Sequence, residues 1–302
     1  MWNNILEQIK AGDRKSLARC ISLVENESTG YDNFMQSLQG SATPIIGITG
    51  PPGAGKSTLT DALIGMYVSA GKKVAVLCVD PSSPFNMGAL LGDRIRMSQW
   101  YNSENVFIRS LATRGSLGGL NPKIIEITDV LKAADFDYII VETVGVGQSE
   151  IEIAGLADVT VVTIVPEAGD EIQTMKAGVM EIADVFVVNK ADRPGADTFV
   201  KNLRLMLAPT FTTHKEEVEV IKTIASKQEG IETLQKAIDK VLANTKNERK
   251  AWLLAEKAFY LIQKERMRDI DKQKIKQEIE NAKEQINIYK FVQEVLNKNS
   301  IL

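Results

Sequence analysis

The sequence holds very little histidine and cysteine, which excludes several classes of site. Its 302 residues include one histidine, His214, and two cysteines, Cys20 and Cys78. Three such residues cannot supply a zinc site of four Cys or His ligands, and they form no disulfide framework. A catalytic triad would need His214, which lies in the polar stretch 212–215 with no nucleophile motif nearby.

Long apolar runs and a strong excess of one charge are also absent. No run approaches the roughly 20 apolar residues that cross a bilayer, and the N-terminal stretch, with Glu7 and Asp13, lacks the pattern of a targeting peptide. The net charge is −3 and the pI about 5.5, so no overall basicity draws the chain to nucleic acid or to a membrane. We therefore expect a soluble cytoplasmic protein with neither kind of partner.

The hydrophobic pattern divides the chain into three segments. Residues 1–42 carry apolar residues at helical spacing and predict an N-terminal helical extension. Residues 43–245 alternate short apolar runs with helical stretches, which predicts a doubly wound, mostly parallel α/β sheet. The predicted strands are 45–49, 74–79, 106–108, 138–141, 159–165, 185–188 and 218–224. The predicted helices between them are 57–70, 122–134, 171–182, 196–207 and 230–243.

Glycine and proline are missing from the end of the chain. No glycine follows Gly230 and no proline follows Pro209. Apolar residues in the last segment, 246–302, recur every three or four positions, as in an amphipathic helix. They are Ile275, Ile279, Ala282, Ile286, Tyr289, Val292 and Leu296. Such a stripe packs either on the chain's own α/β domain or against a second chain. The second alternative predicts a homodimer in which residues 246–302 are the dimerisation arm.

A phosphate-binding loop follows the first predicted strand. The stretch matches G-x-x-x-x-G-K-[ST] in full, between a strand and a helix, which predicts a P-loop NTPase. Its residues are Gly50, Pro51, Pro52, Gly53, Ala54, Gly55, Lys56, Ser57 and Thr58. Backbone N–H groups of such a loop face phosphate oxygens, while Lys56 neutralises the β- and γ-phosphates and Ser57 ligates Mg²⁺. The alternative is a chance glycine-rich turn.

A guanine-recognition pattern, N-K-x-D, follows the strand at 185–188. Asp192 can accept hydrogen bonds from two guanine donors that adenine lacks, and this predicts preference for GTP and GDP. Asn189 braces the loop, and the stem of Lys190 packs over the base. The alternative is a capped turn with a solvated lysine. One strand later, Ile224, Ala225 and Ser226 stand where GTPases offer a backbone N–H to guanine, with isoleucine in place of the usual serine.

Acidic residues after two strands predict the metal and water site. Glu142 ends a buried strand and precedes a glycine turn, in which the Gly145 N–H would approach the γ-phosphate. Asp80 ends the second strand, and Asp93 follows in a stretch that could sense the nucleotide. Alternatively, Asp80 and Asp93 are helix caps. Val146 stands where Ras-like GTPases place a water-orienting glutamine, and the sequence does not choose an arginine finger among Arg94, Arg96, Arg109 and Arg114.

These motifs together resemble the MeaB/ArgK family of P-loop GTPases. The resemblance rests on GITGPPGAGKSTL, VDPSSPFNMGALLGDRIRM, TRGSLGGL, DYIIVETVGVGQSE, PEAGDEIQTMKAG and NKAD. It implies a homodimeric GTPase that serves as chaperone and gatekeeper for an adenosylcobalamin-dependent acyl-CoA mutase of the methylmalonyl-CoA mutase type. It also implies that Lys56, Asp80, Asp93 and Glu142 serve Mg²⁺ and hydrolysis, and that 169–178 is a mobile segment sensing the mutase.

Other functions remain open at the level of sequence. A metallochaperone GTPase of the same class would be expected to carry Cys/His clusters, which this sequence lacks. A P-loop kinase would need an acceptor pocket, and N-K-A-D weighs against it. A nucleotide-binding module without catalysis would be distinguished by the absence of turnover.

Overall fold

The computed structural model describes most of the chain, with gaps between the described ranges. These ranges are 1–80, 97–113, 120–143, 149–167, 177–207, 218–244, 248–267, 270–281 and 287–297. The chain forms two compact units, Met1–Lys250 and Ala251–Leu302. The first unit includes the N-terminal helices as well as the sheet. The boundaries predicted at 42/43 and 245/246 stay predictions.

Seven parallel strands form one sheet in the first unit. Its strands are β1 (Ile45–Thr49), β2 (Val74–Asp80), β3 (Val106–Ala112), β4 (Tyr138–Glu142), β5 (Val159–Ile164), β6 (Val185–Val188) and β7 (Glu219–Lys222). The order across the sheet is β3-β2-β4-β1-β5-β6-β7. β1 therefore lies between β4 and β5. On one side of β1 lie the strands β2 to β4 and on the other β5 to β7, so the strand order reverses at β1, and ligands of such sheets bind at this switch point. The predicted doubly wound P-loop fold is confirmed.

Helices cover both faces of the sheet. Among the described residues, the helices between strands are α4 (Lys56–Ser69), α5 (Ile124–Lys132), α6 (Ser149–Leu156), α7 (Ala177–Ile182) and α8 (Ala196–Leu207), and α9 (Ile231–Asn244) follows β7. Alternate residues of β6 join different apolar clusters: Val185 and Val187 pack with α4 and α9, whereas Phe186 and Val188 pack with α8. This two-sided burial explains why the strands are continuous apolar runs.

Three helices precede the sheet, α1 (Trp2–Lys10), α2 (Arg14–Glu25) and α3 (Tyr31–Ser37). The Asp13 side chain caps α2 by accepting a hydrogen bond from the Lys15 N–H. These helices explain one error in the predicted strands. β3 continues to Ala112, whereas the sequence predicted an end at Ile108, because Arg109 and Ser110 interrupt its apolar run. Arg109 donates to Ser22 at 3.0 Å and Glu25 at 3.2 Å, so α2 compensates a charged side chain on the strand.

The other predicted bounds agree with the structure to within a few residues, as helix and strand ends usually do, but the helix α6 (Ser149–Leu156) was not predicted. β5 ends at Ile164 and β7 covers only Glu219–Lys222, both shorter than predicted. α7 begins at Ala177 in the described part of the chain, and 171–176 lie outside it.

The described C-terminal residues are helical: α10 (Glu248–Arg266), α11 (Lys272–Asn281) and α12 (Ile288–Asn297). The predicted apolar stripe falls on α11 and α12, with Ala282 and Ile286 outside the described residues. Many large apolar side chains of the second unit are exposed, among them Trp252 at 65%, Phe259 at 66% and Tyr289 at 83%. In the part of the chain that the structure describes, no helix is long and apolar enough to span a membrane.

Candidate active site

The phosphate loop connects β1 to α4 and depends on glycine. Gly50 has φ +138°, and a Cβ there would lie 1.9 Å from the Thr163 carbonyl oxygen. Gly55, with φ +88°, precedes α4, and a Cβ there would lie 2.4 Å from Nδ2 of Asn189. A side chain at Gly50 would overlap the backbone, and one at Gly55 would displace the Asn189 amide and strain a left-handed backbone. The loop sits at the switch point of the sheet, in front of the N-terminus of α4, where backbone dipoles favour an anion.

Lys56 is the first residue of α4 and is turned into the loop. Its side chain is buried, and Nζ donates to the carbonyl oxygens of Gly50 at 2.9 Å and Pro51 at 3.1 Å. These contacts hold the ammonium group among the backbone groups that would surround a polyphosphate. Thr58, in the first turn of the same helix, is half-buried.

Ser57 and Glu142 meet directly. The Ser57 hydroxyl donates to Glu142 Oε1 at 2.6 Å, and the Thr60 hydroxyl lies 2.9 Å from Glu142 Oε2. Glu142 is the last residue of β4 and is only 3% exposed. The structure thus brings together two of the predicted metal-site residues and adds a third group, Thr60.

Asp80 lies at the end of the neighbouring strand. In the parallel register of β2 and β4, Cys78 is opposite Glu142, so Asp80 extends past the end of β4 on the same edge of the sheet. Its side chain is 5% exposed. It ends β2, and a helix that it could cap would begin in 81–96, outside the described residues, so the helix-cap alternative for Asp80 stays open.

The donor set of this edge suits Mg²⁺. Ser57, Asp80 and Glu142 offer oxygen ligands, the kind that Mg²⁺ prefers. The Ser57 hydroxyl gives its one proton to Glu142, so toward a cation its oxygen acts as an acceptor. Among the described residues, no group of three or more His, Cys, Asp or Glu could hold a metal ion alone. Such an arrangement fits a Mg²⁺ that takes its other ligands from phosphates and water.

Asn189 joins the base motif to the phosphate loop. Its Nδ2 donates to the Ala54 carbonyl at 2.9 Å. Its Oδ1 accepts from the Thr223 hydroxyl and from the Ala225 N–H, each at 3.1 Å. The side chain is 2% exposed, so one buried amide holds the ends of β6 and β7 against the loop after β1.

Lys190 and Asp192 project from the same turn. Lys190 has φ +56°, and its Nζ donates to the Gly53 carbonyl at 2.7 Å, so the predicted lysine lies against the phosphate loop. Asp192 is about half-exposed and forms an ion pair with Lys227 at 3.6 Å. Its carboxylate is therefore accessible at the open side of the site.

The third base element is partly engaged within the protein. The Ile224 N–H donates to the Glu229 carbonyl at 3.1 Å, and the Ala225 N–H donates to Asn189. Ser226 is exposed and follows the buried Ala225 in the 3-10 turn Ala225–Lys227. The backbone donor for guanine that the sequence predicted in this loop stays a prediction.

Several predicted residues lie outside the described ranges. These are Asp93 and Gly145 of the predicted metal and γ-phosphate site, the arginines Arg94, Arg96 and Arg114, and residues 169–176. Arg109 is described and binds Glu25 and Ser22 on α2, so it is committed to the N-terminal helices. Glu167, directly before the last of these gaps, accepts from Arg193 of the base turn at 2.7 Å, and this bond lowers the pKa of Glu167.

Sequence reasoning missed four hydroxyl or charged groups around the site. Thr49 and Thr143, at the ends of β1 and β4, have their hydroxyl oxygens 2.9 Å apart, and both side chains are buried. Thr60 contacts Glu142, and Lys227 contacts Asp192. Only Thr60 carried a signal in the sequence, because it lies three residues after Ser57 and so on the same face of the helix.

Comparisons with known proteins agree with this geometry. The sequence matches the family described as methylmalonyl Co-A mutase-associated GTPase MeaB over residues 17–283. A Pyrococcus abyssi protein assigned as a GTPase is 48% identical over 240 residues, which cover 78% of this chain and 74% of that protein. The fused isobutyryl-CoA mutase of Geobacillus kaustophilus is 37% identical over 236 residues, 73% of this chain and 22% of that protein.

A solved structure is similar to this chain over most of its length. The crystal structure of a LAO/AO transport system kinase matches with a TM-score of 0.66 and 29% identity, covering 89% of this chain and 84% of that one. The predicted resemblance, the P-loop fold and the assignment as a GTPase are confirmed by these matches.

Proposed function

The chain belongs to the family of methylmalonyl-CoA mutase-associated GTPases, and we propose that it hydrolyses GTP as chaperone and gatekeeper of an adenosylcobalamin-dependent acyl-CoA mutase. The observation that carries the GTP site is the Asn189–Ala54 hydrogen bond, which fixes the base turn against the phosphate loop. A guanine nucleotide that spans the two would have its base bound by the base turn and its phosphates bound by the phosphate loop, which are held together by this bond.

In this proposal each end of the nucleotide has its own residues. Loop N–H groups from Gly50 to Thr58 and the ammonium of Lys56 bind the phosphates. Asp192 accepts from the two guanine donors, the Lys190 stem lies over the base, and a backbone N–H of the turn Ile224–Ser226 meets the guanine oxygen. The Asp192–Lys227 ion pair already holds the carboxylate on the open side of the site, where the base would arrive.

Ser57, Asp80 and Glu142 would hold Mg²⁺, together with Asp93. When bound, Mg²⁺ neutralises negative charge on the phosphate oxygens. Ser57 provides a hydroxyl oxygen, while Glu142 holds that hydroxyl by its proton at 2.6 Å. Removing Glu142 would therefore disturb the orientation of Ser57 as well as the local charge.

Hydrolysis joins a water oxygen to the γ-phosphorus and breaks the bond to the β-phosphate, which releases GDP and phosphate. The sequence has Val146 directly after Gly145, so a glutamine does not stand in the position that orients water in Ras-like GTPases. We infer slow turnover by the isolated chain, which a partner accelerates. The partner would act through the stretch 80–97 and through 169–178.

The mutase partner is inferred from the family and from one relative. The family description names association with methylmalonyl-CoA mutase. The fused isobutyryl-CoA mutase of Geobacillus kaustophilus contains a region similar to this chain, and that region is 22% of its length. A region similar to this chain within the same polypeptide as a mutase supports a functional contact between this chain and a mutase.

A homodimer through residues 246–302 completes the proposal. The exposed apolar side chains of this segment, such as Trp252 and Phe259, support it, because exposed apolar patches of soluble proteins mark interaction sites. The cytoplasmic location stays a prediction from composition.

The direct test is capture of purified adenosylcobalamin mutases by the immobilised chain with GTP, GDP or no nucleotide. The proposal predicts capture of a cognate methylmalonyl- or isobutyryl-CoA mutase whose amount depends on the nucleotide. Lys56→Ala, which weakens binding of the triphosphate, should give the same capture with GTP as without nucleotide. Failure to capture any adenosylcobalamin mutase of the source organism in any state would overturn the proposed role, while GTP hydrolysis would still stand.

A further inference from the structure

Glu142 is held between two hydroxyl groups of one helix. Ser57 and Thr60 lie on the same face of α4, and their oxygens are 2.6 Å and 2.9 Å from the two carboxylate oxygens. Thr60 is completely buried. Since each hydroxyl contacts a different oxygen of Glu142, the pair constrains the rotation of the carboxylate group, which a single contact would not do.

The Thr60 proton has two acceptors. Its Oγ1 lies 3.0 Å from the Lys56 carbonyl in the preceding turn and 2.9 Å from Glu142 Oε2. A hydroxyl has one proton to donate, and hydrogen bonds to an ionised acceptor are about twice as strong as those between neutral groups. With Glu142 ionised, the proton therefore goes to the carboxylate.

The backbone at Glu142 is already fixed by the sheet. Glu142 is paired with Ile48 of β1 and Cys78 of β2, and the next residue, Thr143, donates its N–H to the Ile48 carbonyl at 3.0 Å. The remaining freedom is in the side chain. Glutamate has one more torsion than aspartate, and its terminal torsion is broad. A glutamate in this position therefore needs an additional anchor.

We propose that Thr60 is a positioning residue for the GTPase reaction: it anchors Glu142 Oε2, so that Oε1 stays on Ser57 and the Ser57 oxygen stays oriented toward Mg²⁺. The proposal rests on the Mg²⁺ site of the proposed function and extends it by one residue. Thr60 itself does not touch the nucleotide in this scheme. It acts only through Glu142.

The test compares Thr60→Val, which keeps the shape but removes the hydroxyl, with Thr60→Ser, which keeps the hydroxyl. Thr128→Val is the control. Thr128 is also a buried helical threonine, but it lies on α5, and its hydroxyl donates to the Ile125 carbonyl of that same helix. The readout is the Mg²⁺ concentration that half-maximally slows release of fluorescent GDP, measured beside kcat and KM for GTP.

Thr60→Val should raise that Mg²⁺ concentration about tenfold, the effect of losing one hydrogen bond to a charged group. It should lower kcat more than it raises KM, and it should leave GDP affinity in EDTA unchanged, which also shows that the variant is folded. Thr60→Ser and Thr128→Val should match the unsubstituted chain. If Thr60→Val does not fold, Thr60→Ala carries the same prediction.

The same substitution in a Glu142→Ala background separates positioning from general structure. If Thr60 acts through Glu142, Thr60→Val should add nothing to the Mg²⁺ effect of Glu142→Ala. Three results would each overturn the proposal. Thr60→Val could raise the required Mg²⁺ concentration equally in both backgrounds, Thr60→Val could leave that concentration unchanged, or Thr60→Ser could raise it as Thr60→Val does. GDP release that does not depend on Mg²⁺ in the unsubstituted chain would instead overturn the metal site and this proposal with it.

Discussion

The side-chain amide of Asn189 donates to the Ala54 carbonyl over 2.9 Å and thereby connects the base turn to the phosphate loop, 135 residues earlier in the chain. The oxygen of the same amide accepts from Thr223 and Ala225. Three loops at the carboxyl edge of the sheet thus share one buried side chain. These hydrogen bonds fix the three loops relative to one another, and a site whose parts are held in place binds its ligand at a lower cost in ordering.

Asn189→Ala should lower both stability and GDP affinity. It removes three buried hydrogen bonds at about 1 kcal/mol each, so the free energy of unfolding should fall by about 2–3 kcal/mol in a denaturant titration. Thr223→Val is the matched comparison: it removes one contact to the same Asn189 and leaves the Ala54 bond, so it should cost about 1 kcal/mol. Equal losses of GDP affinity in the two variants would contradict the bridging role.

Asp192→Asn should reverse base preference. An amide cannot accept from both guanine donors, but it can donate to the additional oxygen of xanthine. GDP affinity should fall by about 100-fold, the effect of two hydrogen bonds to a charged group, and XDP should bind more tightly than GDP.

Lys227→Met controls for the neighbouring ion pair. Both partners are about half-exposed, and such pairs contribute at most about 1 kcal/mol, so GDP affinity should change less than about fivefold. Calorimetry with GDP, XDP and ADP measures the nucleotide affinities of the unsubstituted chain and of both variants. A Lys227→Met loss as large as that of Asp192→Asn would mean that the carboxylate does not read guanine directly.

Cys20 should be inert in the folded chain. Burial raises the pKa of its thiol to about 12, so the reactive thiolate is nearly absent at pH 8. In a Cys78→Ala background, a thiol reagent should label Cys20 only after unfolding. Because an unfolded thiol ionises from about pH 8.5 while the folded one stays neutral, the stability contributed by Cys20 should decline as pH rises from there toward 12. Rapid labelling of the native protein at pH 8 would contradict this burial.

The full-length chain should be a dimer at micromolar concentration. Truncation after Asn244, at the end of α9, removes the exposed apolar residues of the last segment and keeps the sheet. Light scattering should then give a monomer that still binds GTP. Phe259→Ser in the full chain should weaken the dimer, because this side chain is 66% exposed in the single chain. A monomeric full-length chain would contradict the proposal that residues 246–302 form a dimerisation arm.

Much of the fold followed from local patterns. Short sequence signatures located several elements. Apolar runs located the strands β4 and β6, the G-x-x-x-x-G-K-[ST] motif located the P-loop, and N-K-x-D located the base turn. The order β3-β2-β4-β1-β5-β6-β7 did not follow, because it depends on pairings between strands distant in the chain. The continuation of β3 through Arg109 was also hidden, since its compensating carboxylate, Glu25, is 84 residues away.

The candidate site shows the same division. The sequence identified Lys56, Ser57, Glu142 and Asn189 by motif, and the structure places each at one edge of the sheet. It did not identify the contact of Thr60 with Glu142, because their bond joins residues 82 positions apart. A motif carries residue types at fixed spacing; contacts between motifs depend on the packing of the helices on the sheet.

The most direct test of the central claim is steady-state GTP hydrolysis with and without an adenosylcobalamin-dependent acyl-CoA mutase from the same organism. The isolated chain should turn over slowly, and a cognate mutase should raise kcat at saturating GTP. The ceiling for such stimulation is about 10³–10⁵-fold, which activating partners reach when they supply an arginine. A rise that depends on the mutase, and is absent in Lys56→Ala, is the result that the account predicts. An unchanged rate with every such mutase of the organism would contradict it and leave a GTPase with another client.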